Sequence, residues 1–344
     1  MQGNRDNPED ALRSLRDIIE CEGNDLRSVL YRNIVLNSLK CKRGELDILD
    51  LKIIDRMVAE FRYAASVFKP YRSVRKVSVF GSARVKAGDP YYQLAVDFGR
   101  SIVEKGFMVI TGASEGIMRA GIEGAGPEKS FGVNILLPSE QLPASIIQDN
   151  PRLVTFKYFF TRKVFFVMEA DAIALFPGGF GTHDEGFEVL TLLQTGKAPP
   201  MPVILMELPG EEYWETWDRF IREQMLKRGL IQPAELSFYR IMHDPQEAAE
   251  WIADYYSTYH SARQVRDTLV IRTEKELTNE NLAALNRDFS DLVESGNIHR
   301  AHPSPDEEDE PELKDKARIA FCYNRKSPGR LNEMILAINS PGAT

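Results

Sequence analysis

The sequence has few of the residues that hold disulfides and metal ions. Among its 344 residues there are three cysteines, Cys21, Cys41 and Cys322, whose spacing fits reduced thiols and excludes a zinc motif. The five histidines are scattered, and the loop pair His299 and His302 is weak evidence for a metal site. We therefore expect no metal and no cofactor.

Long apolar runs and an excess of positive charge are also missing. No apolar stretch reaches the ~18 residues of a membrane-spanning helix, and the N-terminal residues do not have the apolar region of a signal peptide. The formal net charge of −8 disfavours a nucleic-acid partner. Part of this charge is an acidic run at residues 306–312, which is typical of a solvated loop. The composition thus predicts a cytoplasmic protein that binds neither membranes nor nucleic acids.

Three regions differ in their hydrophobic patterning. Residues 1–72 repeat apolar side chains at helical spacing, which predicts an N-terminal helical extension. Residues 73–260 alternate strand-length apolar runs with helical segments, the pattern of an α/β fold with a Rossmann-like, doubly wound parallel sheet and helices on both faces. Residues 264–344 predict a small α+β unit, with strands at 268–272 and 317–323 and helices at 278–294 and 330–339.

Glycine-containing loops follow three of the predicted strands, at residues 81–82, 112–116 and 178–181. Ligands of such sheets bind beyond the carboxyl ends of the strands. None of the three loops has the Gly-Lys-Ser/Thr of a Walker A loop, and none is a clean G-x-G-x-x-G motif with an acidic residue about 20 positions further on. Kinases, GTPases and NAD-dependent dehydrogenases are therefore disfavoured.

The most informative stretch is residues 171–188, where an apolar run of strand length meets a Pro-Gly-Gly break before a helical pattern. This geometry directs the N–H groups of a helix N-terminus toward an anion, usually a phosphate. The glycines let the backbone approach that phosphate. We expect Thr182 to be the N-cap and Glu185, one turn on, to reach a bound sugar. The Thr182-x-x-Glu185 spacing is equally that of a capping box, in which Glu185 does no chemistry.

Four motifs in chain order carry a family resemblance. Residues 177–185 match P-G-G-x-G-T-x-x-E, Arg162-Lys163 precedes them, and Gly81-Ser82 and Gly116-Ile-Met118 follow the first two strands. Over residues 74–256 the sequence thus resembles the Lonely Guy (LOG) family, whose members were long mislabelled as lysine decarboxylases. The resemblance implies a Rossmann-like fold, a homodimer, and hydrolysis of the N-glycosidic bond of nucleoside 5′-monophosphates to free base and ribose 5-phosphate. In plants and some microbes the substrates are cytokinin nucleotides.

The resemblance also implies roles for residues of this sequence. Arg162 and Glu185 would form the catalytic pair. The 5′-phosphate would be held by Gly178, Gly179, Gly181 and Thr182, and further contacts to the nucleotide would come from Gly81, Ser82, Met118 and Lys163. The sequence departs from the family at two places. Relatives often have a run of glycines, and then Gly or Glu after the methionine, where residues 112–119 are Gly-Ala-Ser-Glu-Gly-Ile-Met-Arg. They more usually have Leu-Glu-Glu-Leu where residues 183–186 are His-Asp-Glu-Gly.

Other interpretations stay open beside the enzyme. A nucleotide-binding or carrier protein would use the same phosphate site without hydrolysis, although it would need only the glycines and Thr182. The terminal extensions could form a regulatory or oligomerising layer over a nucleosidase. A pyridoxal-phosphate decarboxylase is disfavoured, because no lysine stands out in a pocket setting with a partner for the pyridinium nitrogen.

Several side chains also have a purely structural interpretation. Arg162 could form a surface ion pair at a helix start, and Glu188 could support Glu185 or be solvated. Lys163 and Arg84 fit an electrostatic lining or the surface. The aromatic residues at 156–160, 165 and 166 predict a subunit interface in part, with core packing as the alternative.

Overall fold

The computed structural model describes residues 8–20, 25–137 and 143–340. Cys21 therefore lies outside the described residues, as do residues 1–7. The chain divides into two compact units, Met1–Phe61 and Arg62–Thr344. The antiparallel sheet at the C-terminus lies in the same compact unit as the parallel sheet, and the domain boundaries at 72 and 260–264 stay predictions. Within the described segments, no helix is both long enough and apolar enough to cross a bilayer.

The N-terminal region is helical, as its apolar spacing predicts. It consists of α1 (Pro8–Glu20), α2 (Leu26–Arg43) and α3 (Ile48–Phe68). Asp25 is the N-cap of α2, and its side chain accepts a hydrogen bond from the Ser28 N–H at 3.1 Å. The last turn of α3 carries Phe68, which is fully buried and stacks on Phe131 with ring centroids 4.3 Å apart.

A seven-stranded parallel sheet forms the centre of the second unit. Its strands alternate with helices along the chain: β1 (Lys76–Phe80), α4 (Pro90–Glu104), β2 (Met108–Thr111), α5 (Ile117–Ala125), β3 (Ser130–Ile135), β4 (Leu153–Phe156), α6 (Phe159–Met168), β5 (Ala172–Leu175), α7 (Phe180–Gln194), β6 (Val203–Met206), α8 (Tyr213–Phe220), β7 (Tyr239–Met242) and α9 (Pro245–Asp254). The order in the sheet is β4-β3-β2-β1-β5-β6-β7. The predicted Rossmann-like, doubly wound fold is confirmed.

The strands of this sheet are mostly apolar because helices cover both of its faces. Every residue of β1, β2, β3, β5 and β6 is buried. The winding direction reverses between β1 and β5, which pair in parallel with Val77 beside Ala172. This switch point opens a crevice beyond the carboxyl ends of the two strands, where ligands of open α/β sheets bind.

The C-terminal region contains a four-stranded antiparallel sheet of order β10-β11-β9-β8. Its elements are β8 (Tyr259–Val265), β9 (Thr268–Thr273), α10 (Asn279–Asp288), β10 (Val293–Arg300), β11 (Ala317–Tyr323) and α11 (Pro328–Ile338). The expected α+β class is correct, but the expected helix over residues 278–294 is too long. The chain leaves α10 at Asp288 and enters the edge strand β10, in which only Ile298 is buried and Gly296 has a φ of +77°.

The acidic run is exposed at Asp306, Glu308, Asp309 and Glu312, as expected for a solvated loop, but Glu307 and Glu310 are held by the sheet. Glu307 is buried, and its carboxylate accepts a hydrogen bond from Arg272 Nε at 2.9 Å. Glu310 lies 2.8 Å from Arg272 Nη2, and Arg318 Nε lies 3.4 Å from Glu307. Arg272 and Arg318 belong to β9 and β11, so the sheet holds the run by paired charges rather than by apolar contacts.

Candidate active site

A cavity of about 690 Å³ opens at the switch point. It is lined by the loop after β1, by the loop after β5 and the first turn of α7, and by single residues of α5 and α6: Phe80, Gly81, Ser82, Ala83, Arg84, Met118, Phe159, Arg162, Gly178, Gly179, Phe180, Gly181, Thr182, His183, Asp184 and Glu185. This volume lies in the range of small-molecule sites. The structure thus brings both members of the expected catalytic pair, and all four expected phosphate-binding residues, to one cavity.

Helix α7 begins earlier than expected, at Phe180, with Gly179 as the N-cap residue. The expectation that Thr182 is the N-cap is wrong. Thr182 lies inside the first turn, where its side chain is buried and its N–H donates to the Gly179 carbonyl at 3.1 Å. The N–H groups of Phe180 and Gly181 precede this bond and have no partner within the helix, and both residues line the cavity. A Cβ added at Gly179 or Gly181 would meet no atom within 4 Å, so this wall is open to a ligand.

Gly178 is held by a hydrogen bond from Tyr213, a residue that the sequence did not indicate. The Tyr213 hydroxyl donates to the Gly178 carbonyl at 2.6 Å and lies 2.7 Å from Nε2 of His183. Because the hydroxyl hydrogen is used on Gly178, Nε2 of His183 must be the donor in the second contact. A Cβ on Gly178 would lie 2.1 Å from Oγ1 of Thr182. No motif links Tyr213 to the glycine loop, since it stands 35 residues further along the chain.

Backbone hydrogen bonds join the loop after β1 to the loop after β5 and to the start of α5. The Ser82 N–H donates to the Pro177 carbonyl at 3.1 Å, and the Ser82 carbonyl accepts from the Ile117 N–H at 3.1 Å. Gly116 has a φ of +71°, and a Cβ there would lie 2.2 Å from the Ser82 carbonyl oxygen. Only glycine fits this position. The expected contacts Gly81, Ser82 and Met118 all line the cavity as a result.

Glu185 is the buried carboxylate of the cavity. Its Oε2 has no hydrogen-bond partner among the described residues, and it lies 3.6 Å from the Nζ of Lys163. Burial raises the pKa of Glu185 to about 7, against the opposing attraction of Lys163 and Arg162. Helix α7 has no side-chain cap. The capping-box interpretation of Glu185 is therefore wrong in this structure, because the helix starts too early for Thr182 and Glu185 to cap it.

Arg162 is not engaged in a surface ion pair. Its Nε donates to the Val133 carbonyl at 2.8 Å, and its guanidinium carbon lies 4.9 Å from the centre of the Phe166 ring. Burial lowers the pKa of Arg162 to about 10. Gly112 makes room for this side chain, because a Cβ there would lie 2.5 Å from Nη2 of Arg162. The terminal nitrogens are thus held at the cavity wall without a carboxylate partner within ion-pair distance among the described residues.

Lys163 lies beside the cavity rather than on its lining. Its Nζ is 2.7 Å from Glu188, 2.9 Å from Asp184 and 3.6 Å from Glu185. Burial lowers the pKa of Lys163, but the hydrogen bonds to Glu188 and Asp184 outweigh burial and raise it overall. Lys163 therefore pairs with three carboxylates, of which Asp184 and Glu185 line the cavity, and Glu188 is a partner of Lys163 rather than a freely solvated group. In the described part of the chain, no cluster of three His, Cys, Asp or Glu side chains could hold a metal ion.

Comparison with known proteins identifies relatives of the central segment. A family profile described as "Possible lysine decarboxylase" matches residues 110–252. The chain is 30% identical over 164 residues to "Probable cytokinin riboside 5'-monophosphate phosphoribohydrolase LOGL5" of Oryza sativa subsp. japonica, which covers 46% of this chain and 63% of that protein. It is 26% identical over 185 residues to LOGL2 of the same plant, which covers 53% of this chain and 73% of that protein.

Solved structures with a similar arrangement are more distant. The molybdenum cofactor binding protein from the phototrophic bacterium Rippkaea orientalis matches with a TM-score of 0.37 and 18% identity, over 52% of this chain and 93% of that chain. The Moco carrier protein from Chlamydomonas reinhardtii matches with a TM-score of 0.36 and 18% identity, over 52% of this chain and 95% of that chain.

Proposed function

We propose that this chain, whose central segment is similar to Lonely Guy (LOG) proteins, hydrolyses the N-glycosidic bond of nucleoside 5′-monophosphates. The products are the free base and ribose 5-phosphate. AMP-type nucleotides and cytokinin nucleotides are the substrate classes that this proposal includes. The activity requires no metal and no cofactor.

One observation carries the proposal: the carboxylate of Glu185 is buried, and its Oε2 accepts no hydrogen bond from the described residues. Oxygen atoms buried without a hydrogen-bond partner are rare in folded proteins, because the lost hydration is not replaced. Glu185 lines the same cavity as the open N-terminus of α7 and the side chain of Arg162. A binding protein for nucleotides would need the helix N-terminus but would gain nothing from a desolvated carboxylate.

The positions of the side chains fit the chemistry of N-glycoside cleavage. The first turn of α7 binds the 5′-phosphate through N–H groups and the helix dipole, which leaves the ribose facing Glu185. As the bond from C1′ to the base breaks, positive charge develops on the sugar ring and a carboxylate stabilises it. With a pKa of about 7, Glu185 can also accept a proton from the water that attacks C1′. Arg162 holds the ribose hydroxyls or the phosphate by charge-assisted hydrogen bonds.

The proposal is tested by incubating the purified protein with AMP, GMP, CMP, UMP and isopentenyladenosine monophosphate and measuring free base. We expect cleavage of monophosphates and little cleavage of the matching nucleosides, because the helix N-terminus contributes only when an anion is bound. The control protein carries Glu104→Gln, an exposed glutamate at the end of α4, and should retain full activity. Comparable turnover of adenosine and AMP would contradict the phosphate site, and tight binding of AMP with no release of base would indicate a carrier.

A further inference from the structure

A second cavity, of about 440 Å³, lies between the end of α7 and the C-terminal sheet. One wall is residues 193–200, which end α7 and form the loop after it. The other walls come from β8, β9, β11 and the start of α11, and the lining residues are Leu193, Thr195, Gly196, Lys197, Ala198, Pro199, Pro200, Phe238, Ala262, Gln264, Leu269, Tyr323, Arg325, Pro328 and Leu331. This set shares no residue with the candidate active site, and the nearest lining residues on α7, Glu185 and Leu193, are about 12 Å apart along the helix axis.

The walls of this second cavity are held in a fixed arrangement. Gly329 at the start of α11 approaches the parallel-sheet region so closely that a Cβ would lie 2.5 Å from the carbonyl carbon of Ala234. Asn332 donates to the Ser237 carbonyl at 2.8 Å and accepts from the Tyr255 hydroxyl at 2.7 Å. These buried contacts tie α11 to the segments before β7 and after α9. The space between them is therefore part of the packing and not a gap between loosely joined parts.

The polar groups of the lining suit a negatively charged ligand. Lys197 forms no ion pair with any described residue, and Arg325 donates one hydrogen bond to the Arg266 carbonyl at 2.7 Å, which leaves its other N–H groups available. No carboxylate lines the cavity, and Asp267, the acidic residue paired with Arg325, is 4.0 Å from it and 96% exposed. Arg325 also has a φ of +58°, a strained backbone position for a residue with a long side chain.

One of the lining side chains, Tyr323, carries a donor without a partner among the described residues. The Tyr323 hydroxyl is buried and forms no hydrogen bond with the described residues. Burial raises the pKa of Tyr323 to about 12, so the hydroxyl keeps its proton at neutral pH and can donate a hydrogen bond to an acceptor. Around it, Leu193, Phe238, Leu269 and Leu331 supply an apolar floor.

We propose that this second cavity is a binding site for a small organic anion with an apolar, ring-sized body. The anionic group lies between Lys197 and Arg325 at the rim, an acceptor of the ligand takes the Tyr323 hydrogen bond, and the apolar body packs on Leu269 and Phe238. The volume fits such a ligand, and a bare inorganic ion would leave the apolar floor exposed to water.

The test is a titration of the full chain with anilinonaphthalene sulfonate, followed by fluorescence and calorimetry. We expect saturable binding, weakened about tenfold in Lys197→Gln and in Arg325→Gln, because each removes a charge-assisted hydrogen bond. The matched control is Lys326→Gln, which removes the neighbouring charge outside the lining and should change the dissociation constant less than about twofold. Tyr323→Phe should weaken binding about threefold or more, although it removes a buried unpaired group and should not lower the melting temperature.

Two further titrations distinguish binding at this site from non-specific binding of the dye. The uncharged analogue phenylnaphthylamine should bind at least about tenfold more weakly than the sulfonate. Arg162→Gln, in the candidate active site, should leave the titration unchanged. Equal weakening by Lys326→Gln, unchanged binding in both Lys197→Gln and Arg325→Gln, or loss of binding in Arg162→Gln would each overturn the second site. None of these readouts depends on hydrolysis, so a failure here is distinct from a failure of the proposed function.

Discussion

Glu185 is the buried carboxylate to which the proposed mechanism assigns the central catalytic role. Replacing it with glutamine keeps its size and removes its charge. We expect Glu185→Gln to lower the rate of base release by about a hundredfold or more, the scale for loss of a general base or of a charge facing the transition state. Binding of AMP should persist, since Gly179, Gly181 and Thr182 are untouched. An unchanged rate in the folded variant would remove Glu185 from the mechanism.

The raised pKa of Glu185 also predicts the pH dependence of the activity. If the ionised carboxylate is the active form, kcat/KM should rise with pH and level off above about 7, because the folded-state pKa is raised from 4.5 to that value. Lys163 lowers this pKa, so Lys163→Met should move the rising limb to higher pH. The matched control is Lys105→Met, a lysine paired with Glu250 away from the cavity, whose profile should not move. A flat profile would contradict the role of Glu185 as a base.

The raised pKa of Glu185 also affects how the free energy of unfolding depends on pH. The direction of this dependence is opposite to that of most carboxylates, whose pKa values are lowered by folding. Between pH 4.5 and about 7 the folded state binds more protons at Glu185 than the unfolded state does, so stability falls as pH rises through this range. We therefore expect Glu185→Gln to equal the wild type near pH 4 and to exceed it near pH 8, by up to about 3 kcal/mol. Urea unfolding at both pH values measures the difference. A wild type more stable than the variant at pH 8 would contradict a desolvated carboxylate.

Tyr213 is the positioning residue that sequence reasoning missed. Its hydroxyl holds the Gly178 peptide and contacts His183, so Tyr213→Phe should loosen the phosphate loop without removing a group that touches the ligand. We expect KM for AMP to rise about tenfold with a smaller change in kcat, on the scale of one lost buried hydrogen bond. The control is Tyr239→Phe, which removes a hydroxyl bound to Asp218 outside the cavity. Equal effects of the two variants would indicate a general loss of stability.

At the scale of the elements, the glycines at the start of α7 differ in why a side chain is absent. Gly178 has no room for a Cβ in the fold, whereas Gly181 has room and leaves space for the ligand. Gly178→Ala should destabilise the protein, because its Cβ would lie 2.1 Å from Thr182 Oγ1. Gly181→Ala meets open space in a helical position, so the melting temperature should stay equal or rise, with alanine favoured by up to ~1 kcal/mol. Its methyl group would occupy the space of the phosphate, and AMP binding should weaken. Unchanged AMP affinity in Gly181→Ala, measured by calorimetry, would place the phosphate elsewhere.

The elements that the sequence predicted correctly are those whose packing leaves a simple pattern. Strands buried on both faces are mostly apolar, so β1, β5 and β6 could be located to within a residue or two. Strand β10 left no such pattern, because it is an edge strand with one buried residue in eight. The start of β10 follows closely after α10 in the chain and is polar, so the prediction wrongly included it in the helix. Strand β8 is similarly half-buried along most of its length.

The candidate site was predictable where a motif is contiguous and unpredictable where a contact joins distant residues. The glycine loop and Glu185 lie in one stretch, and Arg162 stands in a motif of its own. The helix start could not be fixed to the residue, since Gly179 competes with Thr182 as the N-cap and tertiary packing buries Thr182 instead. The Tyr213 hydrogen bond and the arginines that hold Glu307 connect residues far apart in the chain, which no local spacing encodes.

At the scale of the whole molecule, the aromatic residues near α6 divide into two groups. Phe156, Phe165 and Phe166 are buried in the core of the second unit, so the core alternative is correct for these three. The opposite face of α6 carries Phe160, Val164 and Met168, which are 47%, 44% and 50% exposed. They stand four residues apart, so they form one apolar stripe along the helix. We assign this stripe, Phe160-Val164-Met168, to the contact with a second copy of the chain.

The assignment of the stripe predicts the oligomeric state. We expect light scattering at micromolar concentration to report a homodimer or a larger homo-oligomer, and Val164→Asp to dissociate it, because a charge at the centre of an apolar interface loses its hydration without gaining a partner. The matched control is Leu230→Asp, a residue 64% exposed outside this stripe, which should leave the molar mass unchanged. Far-ultraviolet circular dichroism of both variants checks that each is folded. A monomeric wild type, or equal dissociation by Leu230→Asp, would contradict the assignment of the stripe to a subunit interface.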